Sequence, residues 1–363
     1  MVEERCCFNK DALAIRAPKK LHVVLRMFML AVMMICGIYI SSVSLKQIGI
    51  QSRPRKLMIK IMEAPCKKPD IPYYEIPYVH YPVPTTFSRD ECACTPVRFF
   101  SIVSMQRSGS GWFETLLNSH VNISSNGEIF SPKERRSNVS TIVRTLDKVY
   151  NLDWFSSASK NECIAAVGLK WMLNQGLMEN HERVVEYFSQ RGVSVIFLFR
   201  RNLLCRLVSQ LANDHDRSAR QLHGTHKAHV HSESEANILA RYKPMINTSE
   251  LISTLKHTDK FATDALAYFK SIPHIVLYYE DLVQNHTKLM DVLEFLRVPQ
   301  RKLVSRHVKI HTRPLQEQVE NWDDVYSSLK GTNYHDTTTS SILLIHELIK
   351  CLRTLGIGIA AGF

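Results

Sequence analysis

Apolar and polar positions alternate along this chain in a repeating order. Phe99 to Met105, Ile164 to Met172, Val193 to Phe199 and Ile275 to Tyr279 are short, almost continuously apolar runs. Each is followed by a stretch with apolar residues at three- and four-residue spacing: one begins at Trp112, a second carries Val184, Val185 and Phe188, a third Leu203, Leu204, Leu207 and Val208, and a fourth Leu289, Val292, Leu293 and Leu296. Short apolar runs read as strands buried on both faces, and their alternation with amphipathic helices predicts a parallel sheet covered by helices. The expected fold class is therefore α/β, a parallel sheet flanked by helices.

Three regions break the pattern. Met27 to Leu45 carries no charge, and as a helix it would span ~28 Å, about the thickness of a hydrocarbon core. Its length, late start and lack of a small-residue cleavage site predict one transmembrane helix, an uncleaved signal-anchor, preceded by a cytosolic tail, 1–26. Residues 46–96 hold the proline-spaced run from Pro72 to Pro82; proline at that density opposes helix and central strand alike, so this region reads as a stem. The body is expected over 97–335. Beyond it, 336–363 is apolar but interrupted by Glu347, Lys350 and Arg353, which argues against a second span and leaves a divergent tail without assigned function.

Charge changes the picture less than its total suggests. The chain has 46 Lys and Arg against 34 Asp and Glu, a net +12, but residues 1–60 contribute +8 of it. The remaining +4, spread over some three hundred residues, leaves no footprint for a phosphate backbone, so no nucleic-acid partner is expected. Four N-x-S/T sequons, at Asn122, Asn138, Asn247 and Asn285, lie downstream of the apolar segment. Together with that segment they predict a single-pass type II protein of the Golgi membrane with a lumenal, glycosylated body. Of the nine cysteines, six lie beyond the segment; in an oxidising lumen some of them should pair, in a connectivity that spacing leaves open.

The candidate chemistry begins at Ser104-Met105-Gln106-Arg107-Ser108-Gly109-Ser110-Gly111-Trp112-Phe113, between the first strand and the first helix. A turn of this kind aims backbone N–H groups and a helix dipole at one spot, which suits an anion. Arg107 adds charge, Ser108 and Ser110 add donors, and Gly109 and Gly111 allow close approach. A Gly/Ser-rich turn that merely caps the helix is the alternative. A nucleotide triphosphatase loop would need Gly-Lys, and the chain has no such pair.

Arg107-Ser108-Gly109-Ser110-Gly111-Trp112 resembles the 5′-phosphosulfate loop of the sulfotransferases, a basic residue followed by Ser-Gly-Ser/Thr-x and an aromatic. It departs at Gly111, where many members carry a hydroxyl residue. Val195 to Asn202, with Arg201 at a strand end and Ser209 eight residues later, resembles the family's 3′-phosphate site; the alternative is a basic strand end before an ordinary helix. Val167 to Met172 with Lys170, Tyr278 to Leu282, and Asn321-Trp322 ahead of Lys330-Gly331 are similar to the branch that includes nodulation-factor and plant Golgi carbohydrate sulfotransferases. The resemblance covers roughly 97–335.

It implies 3′-phosphoadenosine 5′-phosphosulfate as co-substrate, with no metal, and a carbohydrate or glycoconjugate acceptor. Arg107 and the loop residues Ser108 to Trp112 would hold the 5′ side, Arg201 and Ser209 the 3′ side, and Lys330 and Gly331 would close over the nucleotide. Lys170 would assist at the reacting centre. Sulfuryl transfer to a hydroxyl needs a base, and Glu128, in Asn126-Gly127-Glu128-Ile129-Phe130, is the candidate, against a structural cap or salt-bridge partner. Rival bases lie among His223, His226, His229 and His231, a stretch otherwise read as an acceptor-binding loop, a surface loop or a metal site. Two alternatives to a sulfotransferase stay open: another phosphate-loop enzyme such as a small-molecule kinase, and an inactive membrane-anchored glycan-binding protein of the same fold.

Overall fold

The structure, a computed structural model, describes residues 27–42, 71–155 and 162–335, apart from His223, Ala228 and His286. The chain divides into two units, Met1–Pro65 and Cys66–Phe363. The cytosolic tail 1–26, the part of the stem before residue 71, the tail 336–363, Cys66 and Cys351 fall outside the described residues.

The membrane anchor expected at Met27 to Leu45 is overturned. Among the described residues no helix is long and apolar enough to cross a membrane. The helix in this region covers 27–42, about 24 Å of rise, where a core of about 30 Å requires roughly twenty residues; residues 43–45 lie outside the described set. The single-pass type II topology and Golgi membrane location built on that span fall with it. The sequon asparagines that supported it have structural work of their own. Asn138 Oδ1 accepts from Thr141 N at 2.9 Å, Asn247 Oδ1 from Ser249 N at 3.1 Å and Asn285 Oδ1 from Thr287 N at 2.9 Å. Each sits at a helix start, where Asn followed by Ser or Thr is a favoured capping pattern. Asn122 Nδ2 donates to the Cys163 carbonyl at 2.9 Å.

In the second unit the strands are β1 (Arg98–Ser104), β2 (Ile123–Ser125), β3 (Ala166–Met172), β4 (Val193–Phe199) and β5 (His274–Tyr278), all parallel, in the order β2-β3-β1-β4-β5. The four expected strands are present; β2, three residues with two serines, has no apolar run to announce it. The helices that position the site are α1 (Ser110–Asn118), α2 (Val139–Tyr150), α3 (His181–Gln190), α4 (Leu203–Ala219), α5 (Thr248–Tyr268), α6 (Tyr279–Gln284), α7 (Thr287–Phe295) and α8 (Trp322–Leu329).

Alternation along the strands gives the sheet two apolar faces. Phe99 and Val103 of β1 join Val167, Leu169 and Trp171 of β3 and Val195 and Phe197 of β4 under α2, α3 and the end of α5. Phe100 and Ile102 join Ile196, Leu198 and Leu277 on the other face, under α1 and α7. A third cluster joins α4, α5 and α8 through Leu204, Val208, Leu251, Leu255, Val325 and Leu329. Covering both faces keeps the strands largely apolar and leaves their carboxyl ends as the place for polar chemistry. β1 is central, with β3 on one side and β4 on the other, so a crevice opens at its carboxyl end where the chain turns to opposite faces.

The stem residues from 71 onward pack on this unit. His80 and Val97 exchange backbone hydrogen bonds at 2.9 and 2.8 Å, and Glu75 is paired with Arg98 and, at 2.7 Å, with Arg297. Buried Arg89 donates to the carbonyls of Glu162 at 3.0 Å and Pro82 at 3.2 Å. A disulfide joins Cys92 to Cys163, 71 residues apart, and Cys94 is also disulfide-bonded.

Candidate active site

The loop after β1 turns sharply. Arg107 has φ 64° and Gly109 φ 83°. For arginine the left-handed region costs of order 1 kcal/mol or more, and residues held there against that cost cluster at functional sites. Gly109 is required twice over, since it takes a left-handed φ and a Cβ there would lie 2.3 Å from the Tyr279 ring. The helix that follows, α1, has no side-chain cap, so its first N–H groups are left for another partner. Ser108 is fully buried, and its Oγ makes no hydrogen bond among the described residues.

Arg107 reaches across to α4. Its Nε donates to Ser209 Oγ at 2.9 Å and its Nη1 to Asn213 Oδ1 at 3.4 Å. The Arg200 Nη1 donates to the Arg107 carbonyl at 3.4 Å, and the Arg200 guanidinium lies 5.0 Å from the Tyr279 ring centroid. Burial and then Arg200 pull the Arg107 pKa down to about 10. The same two causes, in the same order, lower Arg206 and Lys309. His311 falls to about 4, by burial and then by Arg107, Arg200 and Lys309. After burial, Arg200 is thus the cation that lowers Arg107, Arg206 and Lys309 alike, and an anion placed among them would relieve both the repulsion and the desolvation.

A second polar cluster lies at β3. Buried Lys170 sits 3.2 Å from Glu114 and 3.3 Å from Glu128. Burial alone would lower its pKa, but Glu114 and then Glu128 carry it above the ordinary lysine value. Glu114, on α1, also accepts from Ser125 Oγ at 2.6 Å and Gly127 N at 2.9 Å, which ties the first helix to the segment that delivers Glu128. Glu128 Oε2 accepts from Gln175 Nε2 at 3.0 Å. Ile129 and Phe130 turn into the core, and Glu128 faces Lys170 and Gln175.

The predicted residues thus divide. Arg107 and Ser209 are brought together, as are Lys170 and Glu128. Ser110 is buried at the start of α1, and Trp112 stands edge-on to Tyr279 with centroids 5.8 Å apart. Arg201 is directed elsewhere: it pairs with Asp281 and lies 4.0 Å from the Tyr278 ring centroid. Glu280 accepts from Arg201 N at 3.0 Å and Asn202 N at 3.2 Å, so the Tyr279-Glu280-Asp281-Leu282 motif anchors the exit from β4. Lys330 and Gly331 follow α8, whose Leu329 packs in the third core cluster.

In the histidine stretch, His226 Nδ1 is 2.7 Å from buried Asp216, and the His229 ring lies over Gly111. Among the described residues no group of three or more His, Cys, Asp or Glu could hold a metal ion; His223 is outside them. Sequence reasoning missed Glu114, Arg200, Lys309, His311 and Tyr279. A glutamate on the apolar face of α1, between Phe113 and Leu117, was the readable signal for the first of these.

A parallel α/β sheet with a glycine-containing loop at the carboxyl end of its central strand is an arrangement whose backbone N–H groups suit an anion. The chain matches no protein-family model. It is 26% identical over 239 residues to Nodulation protein H of Rhizobium meliloti, covering 63% of this chain and 90% of that protein. Among solved structures, a mouse sulfotransferase complexed with PAP is similar at a TM-score of 0.33 and 11% identity, covering 67% of this chain and 88% of its own. A sulfotransferase from Alicyclobacillus acidocaldarius gives 0.32 and 12%, covering 64% and 93%. Structural scores of that size do not establish a shared fold. The sequence relative supports a sulfotransferase family for this chain and with it a sulfotransferase enzyme.

Proposed function

We propose that the chain transfers a sulfuryl group from 3′-phosphoadenosine 5′-phosphosulfate to a hydroxyl of a glycan. The observation that carries the reading is the loop after β1 with its cations: Arg107 at positive φ, Arg200 bonded to its carbonyl, and Arg206 and Lys309, whose pKa values burial and then Arg200 lower. Such a cluster suits a highly charged nucleotide better than a neutral substrate. Arg107, Ser108, Gly109, Ser110, Gly111 and Trp112 hold the 5′ side, Ser209 and Arg201 the 3′ side, and Lys330 and Gly331 close over the nucleotide.

The donor supplies an activated S–O bond. As the acceptor oxygen bonds to sulfur, the bond from sulfur to the phosphate oxygen breaks; Glu128 takes the acceptor proton, and Arg107 with Lys170 stabilises negative charge on the leaving oxygen. The glycan assignment rests on a glutamate after the first helix, the position of the base in carbohydrate sulfotransferases. The test offers the protein a labelled sulfate donor with glycans, lipo-oligosaccharides and tyrosine peptides. Label on a carbohydrate is expected. Label on peptide alone removes the glycan acceptor, and preference for ATP with magnesium over the desulfated nucleotide removes the donor.

A further inference from the structure

Gly111 is the point at which this chain departs from the loop it resembles, because a hydroxyl is missing there. A Cβ on Gly111 would lie 2.4 Å from both Cε1 and Nε2 of His229, so the imidazole fills the volume that a serine or threonine side chain would need. The ring comes from the segment after α4 and is backed by His307, centroids 4.8 Å apart, which His231 meets edge-on at 5.0 Å. His229 also lies within electrostatic reach of Lys170 and Arg107. The residue is exposed beside the loop, so a ligand can reach it.

The charge state suits that position. Burial of the ring, then Lys170, His307, Arg107 and His231, bring the His229 pKa down to about 3. A neutral imidazole offers one N–H without adding a like charge to Arg107 and Lys170. On the same loop Ser108 Oγ is buried with no hydrogen-bond partner among the described residues, a second polar group prepared for a ligand at this helix start.

We infer that His229 supplies the donor missing at Gly111, an imidazole N–H that hydrogen-bonds the 5′-phosphosulfate of the nucleotide. The inference rests on the reading of this loop as the donor's 5′ site. Calorimetry on the full chain with adenosine 3′,5′-bisphosphate tests both. His229→Ala should weaken binding about tenfold, the scale of one hydrogen bond to a charged group. Gly111→Thr should also weaken it, because the new side chain and the ring compete for one space. The double variant Gly111→Thr/His229→Ala should return to within about threefold of the parent, since it restores a hydroxyl and removes the obstruction. Adenosine 3′-phosphate, which lacks the 5′ group, should bind His229→Ala and the parent alike.

A structural role for His229 would weaken both nucleotides together and leave the double variant unrescued; either result overturns the inference, as does unchanged affinity in His229→Ala. Failure of the parent protein to bind the bisphosphate would overturn the nucleotide reading itself, and the inference with it.

Discussion

Replacing Glu128 with glutamine separates chemistry from folding. The substitution removes one negative charge and the proton acceptor but keeps an oxygen for Gln175 Nε2, which now donates to Glu128 at 3.0 Å. Lys170 retains Glu114 at 3.2 Å, so no buried charge is left alone. The Glu128 side chain is 34% exposed, and an ion pair screened to that degree is worth about 0.2–1 kcal/mol. The melting temperature should therefore fall by no more than about 4 °C. Loss of a general base costs ~10²–10⁴ in rate, about 3–5 kcal/mol of barrier. Single-turnover transfer of labelled sulfate, normalised to folded protein, should show this loss in the chemical step with affinity for the desulfated nucleotide nearly intact. Glu114→Gln should behave in the opposite way. That carboxylate is buried and holds Lys170, Ser125 and Gly127 together, so its loss should appear first in stability, at about 1–3 kcal/mol. Near-parental chemistry in Glu128→Gln would refute the base assignment, and a matching rate loss in His226→Ala would move it to the histidine segment.

The other expectations concern the donor, the stem and acid stability. Arg201→Ala should weaken binding of adenosine 3′,5′-bisphosphate about ten- to a hundredfold, because the exposed pair with Asp281 costs under about 1 kcal/mol to break and frees the guanidinium for a phosphate; unchanged affinity in calorimetry would leave Arg201 a surface anchor. Glu75→Ala removes the partner of both Arg98 and Arg297 and should cost about 1–3 kcal/mol in urea unfolding, whereas a stem independent of the body would show no change. His80 has its pKa lowered from 6.5 to about 4, first by burial and then by Arg191. The folded state thus favours the neutral ring, and the stability this gives is present above about pH 6.5 and is lost as pH falls towards 4. Stability should drop by at most about 2 kcal/mol between pH 7 and 5, and His80→Phe, which preserves the stack on Phe99, should flatten that slope. An equally steep slope in the variant would assign the loss to other groups.

The sheet was legible because strands covered on both faces are apolar at almost every position. Four runs satisfied that demand, and their order, each followed by an amphipathic stretch, fixed a parallel arrangement. The edge strand Ile123–Ser125 escaped because it needs only three residues and pairs on one side only, with β3. The membrane segment misled for a related reason. Nineteen uncharged residues meet a hydropathy criterion, but a span also needs an unbroken helix of sufficient length, which the described helix over 27–42 does not reach. The sequons lent weight to that reading, but Asn-x-Ser/Thr is also a helix-capping pattern, and three of the four asparagines accept a backbone N–H at a helix start.

Within the site, sequence could name residues but not choose their partners. Arg201 and Ser209 were joined by the resemblance to a 3′-phosphate site, yet Ser209, in the second turn of α4 and buried, meets Arg107 from a loop more than a hundred positions earlier in the chain. Arg201, two residues past the strand end, is taken by Asp281 of the neighbouring α6. Both arginines lie against the segment that opens α6, Arg200 3.6 Å from Glu280 and Arg201 paired with Asp281, and Arg200 also reaches the loop. Its donation to the Arg107 carbonyl helps hold an arginine at positive φ, and its charge is the second cause, after burial, of the lowered Arg107 pKa. A residue with no place in the sequence motif therefore shapes both the backbone and the charge of the one residue on which the motif depends.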